Sequence, residues 1–256
     1  EHYIGITRYI APIVGFSNVL RGGEDPEATY GFVFKVDQTR ALFETTLGAT
    51  FSNFVVKYEN NKTQTSSLNR TSIWVRTAND TSFNNLSFVN AKINESNNSN
   101  LNVGILCAVA KGSCKFNNIS FTQCEINVNS DTNSVSAGML FGEGKFDFDE
   151  NPSINVSLVN SNKISITSIR NFSTNIDSYI GLVFGQLDSV SYTTDMNISV
   201  NIGLGNEIKL GTQNNSSNEG PKFTRISVGS LFGYVKHSKV GLLSDNDNEI
   251  NLPNII

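Results

Sequence analysis

The sequence has few of the side chains that usually carry out chemistry. Its 256 residues include two histidines, three cysteines and one tryptophan, and 16% of them are charged, against roughly 25% in an average soluble domain. The 19 basic and 23 acidic residues form no run of either sign, so nucleic acid and anionic membranes are excluded as partners. No apolar run approaches the roughly 20 residues of a membrane helix, and we predict no membrane span.

Histidine and cysteine are too sparse for the common catalytic and metal sites. Neither His2 nor His237 accompanies a nucleophile motif such as G-x-S-x-G. Cys107, Cys114 and Cys124 lack the paired spacing of zinc ligands. Two alternatives stay open for Cys107: a small buried hydrophobe, or a disulfide to Cys114 or Cys124. We predict no catalytic residue, no cofactor and no metal.

Acidic residues form two groups in the sequence, and these are the candidates for an enzyme. They are Asp147, Asp149 and Glu150 in one segment and Asp245, Asp247 and Glu249 in another. A glycosidase needs two carboxyl groups roughly 5 to 9.5 Å apart across a groove, and the spacing does not indicate such a pair. The second group resembles the start of a calcium loop, but Ile250 stands where that loop requires glycine. We predict solvated loop acids.

The polar character comes instead from 35 asparagines and 30 serines. Twelve asparagines lie in N-x-[ST] sequons, the acceptors of N-glycosylation in a secretory pathway. We therefore predict covalent N-glycans and an extracellular or cell-surface protein. Most of the sequons outside the strand motif described below, Asn79 and Asn94 among them, are expected in loops. The twelve are Asn61, Asn69, Asn79, Asn85, Asn94, Asn97, Asn118, Asn155, Asn171, Asn197, Asn214 and Asn215.

A short glycine-flanked motif recurs along the chain. Its clear copies are GMLFG at 138–142, GLVFG at 181–185 and GSLFG at 229–233, and weaker echoes begin at 31, 72 and 104. The spacings of 41, 32, 34, 43 and 48 residues indicate a fixed structural rung joined by loops of variable length.

Each motif is followed by strand-like sequence. The segments NLSF at 85–88, NISF at 118–121, NVSL at 155–158 and NISV at 197–200 alternate polar and apolar residues, the period of a β-strand. We predict that these strands lie in register, with Asn85, Asn118, Asn155 and Asn197 facing outward. A third short strand is expected at 125–128, 162–166, 206–210 and 248–252.

Stacked units of 30 to 50 residues predict an all-β fold, a parallel β-solenoid of about six irregular coils. The alternative is a β-sandwich. The motif resembles the short G-x-L-[VF]-G repeats of β-solenoid adhesins and other secreted surface proteins of bacteria and protists, over residues 31 to 252. That resemblance implies the solenoid architecture and a surface setting.

Two domains are expected, an extended apolar segment at 1–28 and the solenoid at 29–256. The apolar stretch from Tyr3 to Phe16 and the apolar C-terminal residues suggest adhesive ends, so we predict a head-to-tail homopolymer. Residues 3–16 either cap their own chain or pair with a sheet edge of a neighbour. The predicted function is an extracellular structural glycoprotein, a subunit of a filament or surface coat. The alternative is a β-helical carbohydrate-binding adhesin or polysaccharide-degrading enzyme.

Overall fold

In a computed structural model the chain folds into a parallel β-solenoid, as the repeat predicts. The structure describes residues 3–6, 13–22, 32–36, 41–58, 70–95, 100–130, 134–147, 153–168, 177–189, 195–212, 225–236, 239–242 and 254–255. Every regular element in these ranges is a β-strand. The strands are β1 (Tyr3–Ile6), β2 (Val19–Arg21), β3 (Phe32–Val36), β4 (Phe43–Leu47), β5 (Thr50–Tyr58), β6 (Arg70–Ser72), β7 (Val75–Asn79), β8 (Ser82–Val89), β9 (Lys92–Glu95), β10 (Leu101–Gly104), β11 (Cys107–Lys111), β12 (Lys115–Thr122), β13 (Glu125–Ser130), β14 (Val135–Gly138), β15 (Phe141–Phe146), β16 (Ser153–Asn160), β17 (Lys163–Ser168), β18 (Asp177–Gly181), β19 (Phe184–Ser189), β20 (Asp195–Ile202), β21 (Glu207–Thr212), β22 (Arg225–Gly229), β23 (Phe232–Lys236), β24 (Lys239–Leu242) and β25 (Asn254–Ile255).

From β6 onward, four consecutive strands make one coil, and each strand of a coil joins a different sheet. We number the sheets in the order in which a coil visits them. Sheet 1 holds β6, β10, β14, β18 and β22; sheet 2 holds β4, β7, β11, β15, β19 and β23; sheet 3 holds β1, β2, β3, β5, β8, β12, β16, β20 and β24; sheet 4 holds β9, β13, β17, β21 and β25. Every pairing between these strands is parallel, which rules out an antiparallel sandwich.

Equivalent side chains of successive coils stack into columns inside the solenoid. The rings of Phe51, Phe83 and Phe116 stack with centroids 5.5 and 5.3 Å apart. In sheet 2, the rings of Phe184 and Phe232 stack at 5.0 Å. These separations are close to the ~4.8 Å spacing of neighbouring strands, so the parallel register itself stacks the aromatic core.

The corners between sheets explain part of the asparagine and glycine content. A residue with a left-handed backbone occupies the corner between sheets 3 and 4 in four coils, namely Asn90, Gln123, Ser161 and Gly205. The corner between sheets 2 and 3 repeats this with Gly48, Asp80 and Gly112. Glycine, asparagine and aspartate tolerate positive φ best, and they fill five of these seven corner positions; Gln123 and Ser161 are the exceptions.

Five of the six segments, the three clear copies of the motif and the echoes at 72 and 104, stack as predicted. Cys107 lies beside Phe141, which lies beside Phe184, and Phe184 lies beside Phe232. The echo at 31 is wrong, because Phe34 pairs with Val56 in sheet 3. Its sequence has the leading glycine and three consecutive apolar residues, but it lacks the second glycine.

The true first member of this column is Phe43, which lies beside Val75. The steps from Phe43 to Val75 and from Val75 to Cys107 are therefore both 32 residues. The coils lengthen only after Cys107.

Close backbone contact between sheets 1 and 2 accounts for the second glycine of the motif. A Cβ on Gly142 would lie 2.5 Å from the amide nitrogen of Val103 and 2.7 Å from the carbonyl oxygen of Ser136. The two sheets meet backbone to backbone at this point. Glycine is favoured at position 142 because a Cβ would collide with the backbone of sheet 1. Its conformational freedom is not the reason.

The N-terminal segment pairs with its own chain in this structure. Strand β1 pairs with β3, and β2 pairs with the first residues of β5. Ile13 and Phe16 form bridges to Phe43 and Thr46. Of the two alternatives for this segment, the structure shows it covering its own first coils.

Candidate functional site

The outer face of sheet 3 carries a column of asparagine side chains that includes two sequons. Nδ2 of Asn85 donates a hydrogen bond to Oδ1 of Asn53 at 3.0 Å, and Nδ2 of Asn118 donates to Oδ1 of Asn85 at 2.9 Å. A parallel bond joins Asn117 to Asn84 at 2.9 Å. Asn85 and Asn118 are exposed, as predicted, while the apolar residues that alternate with them are buried.

The strands in this region are not simple alternating strands. Asn53, Asn85 and Asn118 have φ of 62°, 53° and 52°, and each is the second of two consecutive residues on the outer side. The pair forms a bulge between one inward residue and the next. Asparagine is favoured here because it adopts the left-handed region more readily than most residues. The same residue therefore forms the bulge with its backbone and the column of hydrogen bonds with its side chain.

The predicted register of the four sequon strands holds for three of them. Ile119 of β12 lies beside Leu86 of β8 and Val156 of β16, which aligns the first three motifs, and Asn155 is exposed. The bulge is absent from β16, and the pairing between β12 and β16 shifts by one residue to accommodate this.

The fourth motif is displaced. Asn197 lies beside Ser153, and Asn155 lies beside Ser199, so β20 is offset from the predicted alignment by two residues. An even offset keeps every side chain on its own face of the strand. Ile198 is accordingly buried, and the sequence pattern alone could not distinguish the two registers.

Two of the sequons predicted to lie in loops are in strands. Asn79 is the last residue of β7, and Thr81 of its sequon is fully buried. Asn94 lies in β9, and its Oδ1 accepts a hydrogen bond from Nδ2 of Asn127 at 2.9 Å. The loop prediction is wrong for both. Asn61, Asn69, Asn97, Asn171, Asn214 and Asn215 lie outside the described residues, as does the third-strand segment at 248–252.

A second amide column lies inside the solenoid, and sequence reasoning missed it. Oδ1 of Asn162 accepts from the amide nitrogen of Cys124 at 3.0 Å, and its Nδ2 donates to the carbonyl oxygen of Phe121 at 3.0 Å and to Oδ1 of Asn206 at 2.9 Å. Nδ2 of Asn206 donates to the carbonyl oxygens of Leu158 and Gly203. Both asparagines are buried.

These asparagines satisfy backbone groups that the turn into sheet 4 leaves unpaired. The sequence does hold one sign of this role: Asn162 and Asn206 each stand directly before a strand of sheet 4, β17 and β21. Cys124 takes the same position one coil earlier. Its Sγ faces the carbonyl oxygens of Phe88 at 3.4 Å and Thr122 at 3.5 Å.

The three cysteines are buried and carry free thiols, so the disulfide alternative is not what the structure shows. Sγ of Cys114 donates to the carbonyl oxygen of Lys111 at 3.0 Å, and Sγ of Cys107 faces the carbonyl oxygen of Leu140. Burial raises the pKa of Cys107 well above its ordinary value, that of Cys114 to about 11 and that of Cys124 to about 12. Thiols held neutral in this way are poor nucleophiles and metal ligands.

Charged side chains alternate along the outer face of sheet 4. Lys92, Glu125, Lys163 and Glu207 occupy one stacked position in four successive coils. Nζ of Lys92 lies 2.6 Å from Oε2 of Glu125, and Nζ of Lys163 lies 3.8 Å from Oε2 of Glu207. Partial burial raises the pKa of Glu125, but the hydrogen bond and charge of Lys92 outweigh this, and the pKa lies below its ordinary value.

Polar side chains also meet where sheets 1 and 2 approach each other. Nδ2 of Asn102 donates to Oε2 of Glu143 at 2.9 Å, and Nζ of Lys145 lies 2.7 Å from Oε1 of Glu143. Two coils further on, the rings of Tyr179 and Tyr234 stack at 4.7 Å. The acidic and aromatic residues of this seam therefore contact one another across it.

The acidic and histidine candidates fall almost entirely outside the described ranges. Asp147 is described and exposed, whereas Asp149, Glu150, Asp245, Asp247, Glu249 and both histidines are not described. Within the described part of the chain, no group of three or more metal-binding side chains is found.

No described segment forms a helix with the length and apolar character that a membrane crossing requires. Comparison with protein-family models, with curated proteins and with solved structures found no match to this chain.

Proposed function

We propose that the protein is an extracellular structural glycoprotein, a self-associating subunit of a filament or surface coat built head to tail. The sequons support the extracellular setting, and two of them, Asn85 and Asn118, lie exposed on the column of sheet 3. The protein has no catalytic role and no cofactor in this proposal. A stacked solenoid is a suitable scaffold because each coil contacts only its neighbours and presents the same outer faces along the axis.

The observation that carries the proposal is the position of the exposed apolar side chains. Ile13, Val14 and Val19 are 42%, 73% and 62% exposed in the first coils, and Val235 is 36% exposed in β23, in the last coil. The inward residues of the intervening coils are almost completely buried. Among the described residues, these are four of the seven exposed large apolar side chains, and Leu47, Val159 and Leu204 lie elsewhere. The apolar surface at the two ends favours association along the axis of the stack.

Electron microscopy and sedimentation velocity of the full chain test self-association. We expect linear particles whose length increases with protein concentration, and a species that stays monomeric across the micromolar range contradicts the proposal. Intact mass before and after enzymatic deglycosylation tests the extracellular setting separately. An unchanged mass in material from the native source contradicts it.

The absence of catalysis has its own test. Purified chain is assayed against a panel of polysaccharides, beside the Asp147→Asn variant. Hydrolysis or elimination that disappears in this variant would favour the enzyme alternative.

A further inference from the structure

We infer that two defined faces of the solenoid join successive copies: the N-terminal face, residues 13–21, of one copy stacks on the C-terminal face, β22 and β23, of another. The inference rests on the proposed self-association and identifies its surfaces. The partner is a second copy of this chain, bound through its opposite face.

The C-terminal face exposes positions that are core positions in the preceding coil. Phe232 lies beside Phe184, and Val235 lies beside Leu187. Phe184 and Leu187 are fully buried, whereas Phe232 is half-buried and Val235 is 36% exposed. Among the described strands, β23 is the end strand of sheet 2, with β19 on one side and no described strand on the other. A further coil, or an equivalent surface, would supply the next layer on that side.

The N-terminal face exposes the same column from the other direction. Ile13 forms a bridge to Phe43, the first member of the column that continues through Val75 and ends at Phe232. Ile13 is 42% exposed, and Val14 beside it is 73% exposed. The column therefore presents an open aliphatic residue at one face and an open aromatic residue at the other.

The two faces match in direction as well as in chemistry. All strand pairings in the solenoid are parallel, including the bridges of Ile13 and Phe16. A second copy in the same orientation would place its Ile13 about 4.8 Å beyond Phe232, the spacing of adjacent strands, and would continue the column. Contact between opposite faces is heterologous, and repeated addition produces a filament unless the rotation closes a ring.

The distribution of sequons supports these faces independently. All twelve sequons lie between residues 61 and 215, where 27 of the 35 asparagines occur. The other eight asparagines, at positions 18, 53, 60, 218, 246, 248, 251 and 254, are in no sequon. Glycans on the terminal coils would block stacking, and the sequence contains no acceptor there.

Charged substitutions with a matched control test the joint. Val14→Asp introduces a charge at a side chain that is 73% exposed in the N-terminal face, and Leu204→Asp does so at one that is 72% exposed between β20 and β21, away from both faces. Sedimentation velocity is expected to show at least tenfold weaker association for Val14→Asp and a change within twofold for Leu204→Asp. Circular dichroism and thermal melting check that both variants remain folded.

Mixing two variants distinguishes opposite-face contact from contact between identical faces. Val235→Asp damages the C-terminal face and is expected to be monomeric, with Val235→Thr as the milder substitution if the aspartate lowers the melting temperature. An equimolar mixture of Val14→Asp and Val235→Asp retains one intact face of each kind, so it is expected to form dimers and nothing longer.

The outcomes separate this inference from the proposed function. If the unmodified chain assembles and Val14→Asp and Val235→Asp assemble equally well, the faces are wrong while self-association stands. If each variant alone forms dimers, the contact joins identical faces and the head-to-tail joint is wrong. If the unmodified chain remains monomeric, the proposed self-association fails, and the joint fails with it.

Discussion

Replacing Asn162 by alanine tests whether the buried amide column stabilises the solenoid. The substitution removes three side-chain hydrogen bonds of Asn162. Its Oδ1 accepts one from the amide nitrogen of Cys124, and its Nδ2 donates the other two, to the carbonyl oxygen of Phe121 and to Oδ1 of Asn206. A neutral hydrogen bond contributes about 1 kcal/mol net, and a buried group left without its partner costs about 1–3 kcal/mol. We therefore expect the free energy of unfolding to fall by about 4 kcal/mol, and Tm to fall by roughly 10 °C.

The exposed residue Asn160, two positions earlier, provides the control. Asn160→Ala is expected to change the free energy of unfolding by less than about 0.5 kcal/mol. Urea unfolding followed by circular dichroism measures both variants. Asn162→Asp keeps an acceptor for the amide nitrogen of Cys124, but it places a buried carboxylate oxygen against the carbonyl oxygen of Phe121 and Oδ1 of Asn206. Because a buried, unpaired charge is costly, we expect this variant to be at least as unstable as Asn162→Ala. If Asn162→Ala is no less stable than Asn160→Ala, the column does not stabilise the fold as argued.

Four further results are expected. Cys124→Asn should raise the free energy of unfolding by about 1 kcal/mol, because an amide replaces a weakly bonding thiol in the column; a loss of stability in urea contradicts this. Gly142→Ala should lower it by about 1–3 kcal/mol through the clash with the backbone of sheet 1, whereas Gly211→Ala, which meets no atom within 4 Å, should show no such clash cost. Glycopeptide mass spectrometry should find no molecule with glycans on both Asn85 and Asn118, because their strands are adjacent and about 4.8 Å apart. Finally, burial raises the pKa values of the three thiols in the folded chain above those in the unfolded chain. The free energy of unfolding should therefore decrease as pH rises from about 8.5 toward 11, and the decrease should be smaller in Cys124→Asn. Urea unfolding across this pH range measures the slope.

The repeat and the strand period were readable from the sequence because the same physical demand recurs in each coil. Glycine recurs at Gly142 and its equivalents because two backbones touch there, and apolar residues alternate because one face of each strand is buried. The second glycine is present at Gly142, Gly185 and Gly233, whereas Arg76 and Ala108 take its place in two earlier coils. These demands were enough to predict a parallel solenoid.

The errors arose where a local pattern fits more than one alignment. The segment at 31–35 has the motif's leading glycine and three apolar residues, but Phe32–Val36 pairs in sheet 3. Only the contacts between coils show that Phe43 begins the column. The two-residue offset of β20 was equally hidden, since an even shift preserves the buried face. The roles of Asn162 and Asn206 depend on carbonyl groups more than forty residues away, so no short motif could reveal them.

The alternation of lysine and glutamate on sheet 4 has a consequence for how such a chain can gain or lose coils. Removing one coil would bring Lys92 beside Lys163, whereas removing two would bring Lys92 beside Glu207. Like charges placed directly opposite each other on neighbouring strands are destabilising, and the same penalty applies to a strand that pairs one coil out of place. Inserting or deleting an even number of coils therefore keeps each lysine beside a glutamate on sheet 4, whereas an odd number places like charges side by side.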